Sequence, residues 1–246
     1  MNILSLNKIT AFAALFLFLQ AAQTAYANTK MDFDIEVNIG KCDHYQVGQK
    51  NLYWGDLHVH TAYSLDAYAF GTLKTPAQAY AFARGEAMTL QDGSIAQLDR
   101  PLDFAAVTDH AEWFDLLHIC TDPQNFDDPY CDRLRKDSSV VNGSSLFVEY
   151  VIPTITQETP QATPICIADA EKCAEAKKSQ WQRVQDQANA ANDPCNFTAQ
   201  IGYEWSYTKS FSHSHRNIIF ANDNVTPDAI DYISHPPLGA LWEQLE

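Results

Sequence analysis

A short run that can aim two imidazoles the same way constrains this 246-residue chain more than any other feature. Residues 52–60 read as a buried strand, because Leu52, Trp54, Leu57 and Val59 are apolar and Gly55 permits a close approach or a bulge. In an extended backbone alternate side chains share a face, so His58 and His60 project together while Val59 turns to the core. Such a pair is one side of a metal site. A lone His-x-His also arises by chance in half-buried strands, so the rest of the chain must supply further ligands.

The following residues indicate an α/β fold. A loop over 61–72 carries Asp66, and Thr75-Pro76 then opens a helix with a hydroxyl cap and proline at its first position, which Gly85 ends. Gln91-Asp92-Gly93-Ser94 is a turn, and residues 95–98 are expected to form a hairpin arm. Residues 103–107 form a second apolar strand, bounded by Pro101 and by Thr108-Asp109-His110. Strand, helix, strand implies a parallel sheet. Residues 114–168 lack clear periodicity and read as an insertion bearing four cysteines, with short helices near 132–136 and 145–151. A clear helix spans 168–191, with Trp181 and Val184 turned inward. A third strand is expected over 197–205, ending near Glu204, and a fourth over 216–220, just after Ser212-His213-Ser214-His215. Residues 241–246 stop inside an amphipathic turn without a cap, so the chain is expected to be C-terminally truncated.

Composition narrows the function classes. The chain can bury one large core or two small ones, since 46% of its residues are hydrophobic. Its 31 acidic and 16 basic residues give a formal charge of -15, a surface that repels nucleic-acid phosphates. Lys8, the apolar run 9–19 and Ala25-Tyr26-Ala27 predict a signal peptide over 1–27, cleaved after Ala27 for export to the periplasm or the exterior. That run is too short for the roughly 20 apolar residues of a spanning helix, so no stable membrane insertion is expected after cleavage. Residues 28–50 would be a lead-in, and 51–246 the main domain. Cys42, Cys120, Cys131, Cys166, Cys173 and Cys195 all follow the leader, and an even set in an exported chain reads as disulfides. The short spacings suggest Cys120 with Cys131 and Cys166 with Cys173, leaving Cys42 with Cys195. No Cys-x-x-Cys favours a thiolate zinc site.

Collected by element, the polar strand ends are His58 and His60, His110, Glu204, and His213 and His215, with Asp66 in the first loop. Imidazoles and carboxylates are ligands of zinc, iron and manganese. His213 and His215 are both candidates, or one is a hydrogen-bonding neighbour, and His215 is preferred because the strand begins there. Asp56 and Asp109 are expected to orient imidazoles from behind. His44, His118 and His235 read as loop or surface residues, and Trp54, Trp113 and Trp205 as core residues.

At these residues the chain resembles a known family. His58-Val59-His60-Thr61 with Ser64 and Asp66, Thr108-Asp109-His110, and the later Glu204 resemble the metal motifs of the PHP superfamily, named for polymerase and histidinol phosphatase. Gly55-Asp56-Leu57-His58, Pro101-Leu102-Asp103-Phe104, Asp109-His110-Ala111-Glu112, Tyr203-Glu204-Trp205 and His215-Arg216-Asn217 look like its exported branch, domain-of-unknown-function family 3604. The resemblance implies a distorted seven-stranded β/α barrel, of which this chain would be the N-terminal half. It implies two or three divalent ions (Zn, Mn or Fe): His58 and His60 on one, His110 and Asp66 on another, Glu204 bridging and His215 completing a shell. A site of that kind is expected to hydrolyse a small anionic phosphate, sulfate or phosphonate ester by a metal-activated water, with Glu204 and Arg216 as catalytic candidates, Arg216 either as an anion clamp or, equally, as a structural salt-bridge residue. The contrasting expectation is a non-catalytic exported binding or scaffold protein, or an inactive fragment, with a structural metal.

Overall fold

The computed structural model describes residues 42, 50–122, 129–155, 157, 159–208, 213–236 and 238–246. All of them belong to the unit Cys42–Glu246, so Cys42 of the expected lead-in lies with the main domain. The expected signal peptide and His44 lie outside the described residues.

Strand β1 is Gly55–Val59, followed by the short helix α1 (Leu65–Ala69) and then α2 (Pro76–Ala83). The start of α2 is fixed by a reciprocal cap: Thr75 Oγ1 accepts from Gln78 N, and Gln78 Oε1 accepts from Thr75 N at 3.0 Å. A small antiparallel hairpin, β2 (Met88–Thr89) and β3 (Ile95–Ala96), precedes β4 (Phe104–Val107). After a 3₁₀ turn at Ala111–Trp113 come α3 (Phe114–Thr121) and α4 (Pro129–Asp137). Next, α5 (Gly143–Leu146) runs through a π turn at Phe147–Val151 into α6 (Ile152–Ile155). The helices α7 (Pro164–Ala168) and α8 (Ala170–Ala191) precede β5 (Thr198–Gln200), β6 (Gly202–Tyr207), β7 (Ser214–Ile219) and α9 (Leu238–Leu245).

The architecture is mixed α/β around a parallel sheet of order β1-β4-β5. The long helix α8 packs on α2 and α3, and its buried residues Cys173, Ala176, Gln180, Val184, Ala188 and Ala191 recur at three- and four-residue steps, one helical stripe. One core lies between the sheet, α2 and α8 and includes Trp181, Tyr203 and Trp205. A second fills the space among α1, α3 and α4 around Leu65, Leu117 and Leu134.

Four expectations change. Among the described residues the region 114–168 is mainly helical, and α3 escaped notice although Asp115, His118 and Thr121 recur at three-residue steps between the buried Phe114, Leu116, Leu117, Ile119 and Cys120, because one octet is too short for that period to stand out. The first strand is not buried: among the described residues it is the sheet edge, paired with β4 alone, and Leu52, Trp54 and Leu57 are exposed at 75%, 54% and 40%. The expected third strand breaks at Ile201, whose carbonyl accepts from Phe220 N at 2.9 Å, so β5 stays in the parallel sheet while β6 leaves it. Finally, β7 pairs antiparallel with β6 rather than joining the parallel sheet. The close approach expected at Gly55 is present, since a Cβ there would collide with the Phe104 carbonyl and ring.

All three expected cysteine pairs are at disulfide distance: Cys42–Cys195, Cys120–Cys131 and Cys166–Cys173. Such bonds suit an oxidising compartment. Among the described residues no helix is long and apolar enough to cross a membrane.

Candidate metal centre

The site assembles where β1, β4 and β6 reach the same end of the molecule. His58 and His60 share a face of β1, as strand alternation requires, while Val59 packs against the core. Asp66 lies in the first turn of α1 rather than in a loop. His110 follows β4, and Glu204 on β6 is drawn beside it by a parallel bridge in which Glu204 N donates to the Asp109 carbonyl at 2.9 Å. The antiparallel register pairs Glu204 with Asn217 and Ser206 with His215, which places His215 on Glu204's face.

Glu204 is the centre of the group, with its side chain fully buried. Its Oε2 lies 3.0 Å from His58 Nε2, 2.8 Å from His60 Nε2 and 3.7 Å from His110 Nδ1, and its Oε1 lies 2.5 Å from His215 Nδ1. That last approach lacks hydrogen-bond geometry, so among the described residues Oε1 is a buried carboxylate oxygen without a hydrogen-bond partner. Asp66 Oδ2 lies 3.3 Å from His60 Nδ1 and 3.4 Å from His110 Nε2. Three sets of ligand atoms, each within 4.8 Å, result: His58, His60 and Glu204; His60, Asp66 and His110; and His110, Glu204 and His215. These clusters could bind metal, and the mixed nitrogen and oxygen donors fit a divalent transition ion.

Electrostatics describe the same crowding. Burial lowers the pKa of His60, but hydrogen bonds and charge from Asp66 and Glu204 outweigh it and lift the group to about 10. Burial would raise Asp66 and Glu204, yet the imidazoles around them hold both carboxyls well below the usual range. Burial also opposes the charge on His110, and Asp66 overcomes it, so that its pKa is raised. Asp66 and Glu204 are therefore anionic and His60 and His110 carry compensating charge, a role that a divalent cation can take over.

Other candidates fall elsewhere. His213 is exposed, meets His215 only ring to ring with centroids 5.7 Å apart, and belongs to none of the three sets. Arg216 pairs with Trp205, on the face of β7 opposite His215, is exposed, and donates to the His215 carbonyl at 2.8 Å. It does not face the cluster. Asp56 Oδ1 accepts from His58 N rather than from an imidazole. Asp109 likewise grips the backbone, accepting from Thr61 N at 2.5 Å and from Thr61 Oγ1 at 2.7 Å, and burial pushes its carboxyl up to about 6 against those bonds. His118 is half-buried on α3, with Nδ1 3.1 Å from Gln180 Oε1, rather than a surface residue. Trp113 and Trp205 are core residues as expected, whereas Trp54 is half exposed beneath Arg100.

Sequence reasoning quoted Ser64 and Glu112 within motifs but gave them no role, and it missed Ser206 and Thr208 as neighbours of the site. Ser64 Oγ donates to Asp66 Oδ1 at 2.7 Å, and Thr208 Oγ1 lies 3.1 Å from His215 Nε2. The signal available was parity: Ser206 and Thr208 follow Glu204 by two and four residues. A cavity of about 770 Å³ between α2, the hairpin and β1 is mainly apolar and touches the ligand set only at His60, so the charged chemistry belongs to the cluster.

No curated protein and no solved structure matches the chain. A family described as "Protein of unknown function (DUF3604)" matches residues 47–246. The match contains β1, β4, β6, β7 and every ligand of the three sets, and the chain belongs to the DUF3604 family.

Proposed function

We propose that this protein is an exported, metal-dependent hydrolase of the PHP type that cleaves a small anionic phosphate ester, or a related sulfate or phosphonate ester. The observation that carries the reading is the convergence of four imidazoles and two carboxylates, from four separate strands and a helix, into three overlapping ligand sets around one buried Glu204. On this reading the parallel β1-β4-β5 sheet is part of a distorted β/α barrel, and residues 1–27 are a leader removed after Ala27. Zinc, manganese or iron, two or three ions in all, suit the donors.

When bound, such ions supply Lewis acidity and a water that is nucleophilic near neutral pH. The chain does the rest. Glu204, buried between the His58–His60 side and the His215 side, would hold negative charge there and offer its two oxygens to such ions. Asp66 aligns His60 and His110 from the α1 side. His58 and His215, the more exposed members at 57% and 35% of their side chains, form the solvent side from which an anionic ester would enter. Asp109 keeps the Thr61 turn rigid behind His60.

A structural or scaffold role is favoured by one observation: the imidazoles and carboxylates can neutralise one another without a cation. Metal analysis of the purified full chain, joined to turnover on aryl phosphates, phosphonates and sulfates with added Mn, Fe or Zn, separates the readings. The hydrolase reading expects bound transition metal and turnover that falls by at least about a hundredfold in His58→Ala and His110→Ala. Turnover that survives both substitutions, or metal-free protein that turns over equally well, would end it.

A further inference from the structure

His110 belongs to two of the three ligand sets, and a neutral imidazole has one lone pair to give. It can serve the set with His60 and Asp66 through Nε2, or the set with Glu204 and His215 through Nδ1, but not both. The buried side of the ring bears on that choice. Nδ1 is hydrogen-bonded to Ser206 Oγ, while Nε2 faces Asp66 Oδ2 at 3.4 Å.

Ser206 is itself clamped. Glu112, only 1% exposed, accepts through Oε1 from Ser206 N at 2.8 Å and from Tyr232 N at 3.1 Å. Among the described residues its Oε2 has no hydrogen bond, and it lies 3.9 Å from His110 Nδ1. The turn bearing Tyr232 is fixed in turn by Asp231, whose Oδ1 accepts from Ile233 N and Ser234 N at 2.8 and 2.9 Å and whose Oδ2 meets Lys177 Nζ at 2.5 Å. The Ser206 hydroxyl and the second oxygen of the Glu112 carboxylate thus stand on one side of a single ring nitrogen, and hydrogen bonding at one imidazole nitrogen decides which nitrogen binds metal.

We propose that Ser206, held by Glu112, is a positioning residue that accepts the Nδ1–H of His110 and so assigns its Nε2 lone pair to the cation shared with Asp66 and His60. The set of Glu204 and His215 is then completed without His110, and the two cation positions differ in strength. This rests on the metal reading above.

The test is titration of the metal-free full chain with Co²⁺, followed by calorimetry and visible absorption, for wild type, Ser206→Ala and Ser206→Thr. Wild type should show two unequal binding events. Ser206→Ala should weaken one of them by about 10- to 100-fold and alter its cobalt spectrum, leaving the other within about twofold. Ser206→Thr, which keeps the hydroxyl, should restore both. Ser206→Ala with wild-type affinities and spectrum would overturn the assignment, as would Ser206→Thr impaired as much as Ser206→Ala, which would make the effect one of packing. Wild type that takes up no cobalt would sink the metal reading and this assignment together, and that result appears in the wild-type titration before any variant is compared.

Discussion

Asp115 shows how one buried side chain can set the pH response of the fold. Burial pushes its carboxyl up to about 6, with Lys177 pulling the other way and too weak to restore an ordinary value. Because the folded pKa lies above the unfolded one, folding is favoured by protonation: the contribution is complete below about pH 4 and is lost as pH rises through 6. Asp115→Asn keeps the acceptor for Leu116 N and removes the charge. Urea unfolding should find Asp115→Asn more stable than wild type by about 2 to 3 kcal/mol at pH 7.5, with the gap falling to about 1 kcal/mol at pH 4.5. A gap of equal size at both values would refute the linkage. Identity alone could not reveal this acid, because Asp115 in sequence is one of 31 acidic residues, and only the packing of α3 against α8 takes it out of water.

At the scale of elements, local chemistry was legible wherever a signal was short and self-contained. The α2 start was written in Thr75-Pro76 and the turn before β3 in Gln91-Asp92-Gly93-Ser94; both formed as read. The α2 cap is exposed and reciprocal, so Thr75→Ala should cost about 1 kcal/mol in chemical denaturation and leave the slope unchanged. Elements whose limits depend on partners were read less well. An apolar alternation from Phe197 to Trp205 gives no hint that Ile201 will bond to Phe220 and divert β6 to a second sheet. Likewise the apolar residues before Gly55 look like a buried strand until the sheet is seen to end there.

The whole molecule is tied by three disulfides of very different reach, with separations of 153, 11 and 7 residues. Loop-closure entropy grows with the logarithm of that separation, so the bonds should rank Cys42–Cys195, Cys120–Cys131, Cys166–Cys173, at about 5, 3 and 2 kcal/mol. Paired Cys→Ser variants compared by equilibrium unfolding test the order, and equal losses would show that local packing outweighs chain entropy. The long bond also joins Cys42 to the turn beside β5, where Cys195 has a positive φ of 81°.

The sequence by itself determined the strand-helix-strand order, the caps and the residue types of the ligand set, because each is written in local neighbours or in side-chain alternation along one strand, whereas it only suggested the cysteine pairs, which join residues as far as 153 positions apart. Tertiary structure alone decided which of those types meet. His58 and His60 face together by strand parity, but Glu204 reaches them across 146 and 144 residues because β6 leaves the parallel sheet and runs past His110. The same departure brings Ser206 to His110 and turns Arg216 away. Parity is a property of one strand; register between strands depends on long-range pairing, and it made the His58-His60 pair part of a six-residue centre.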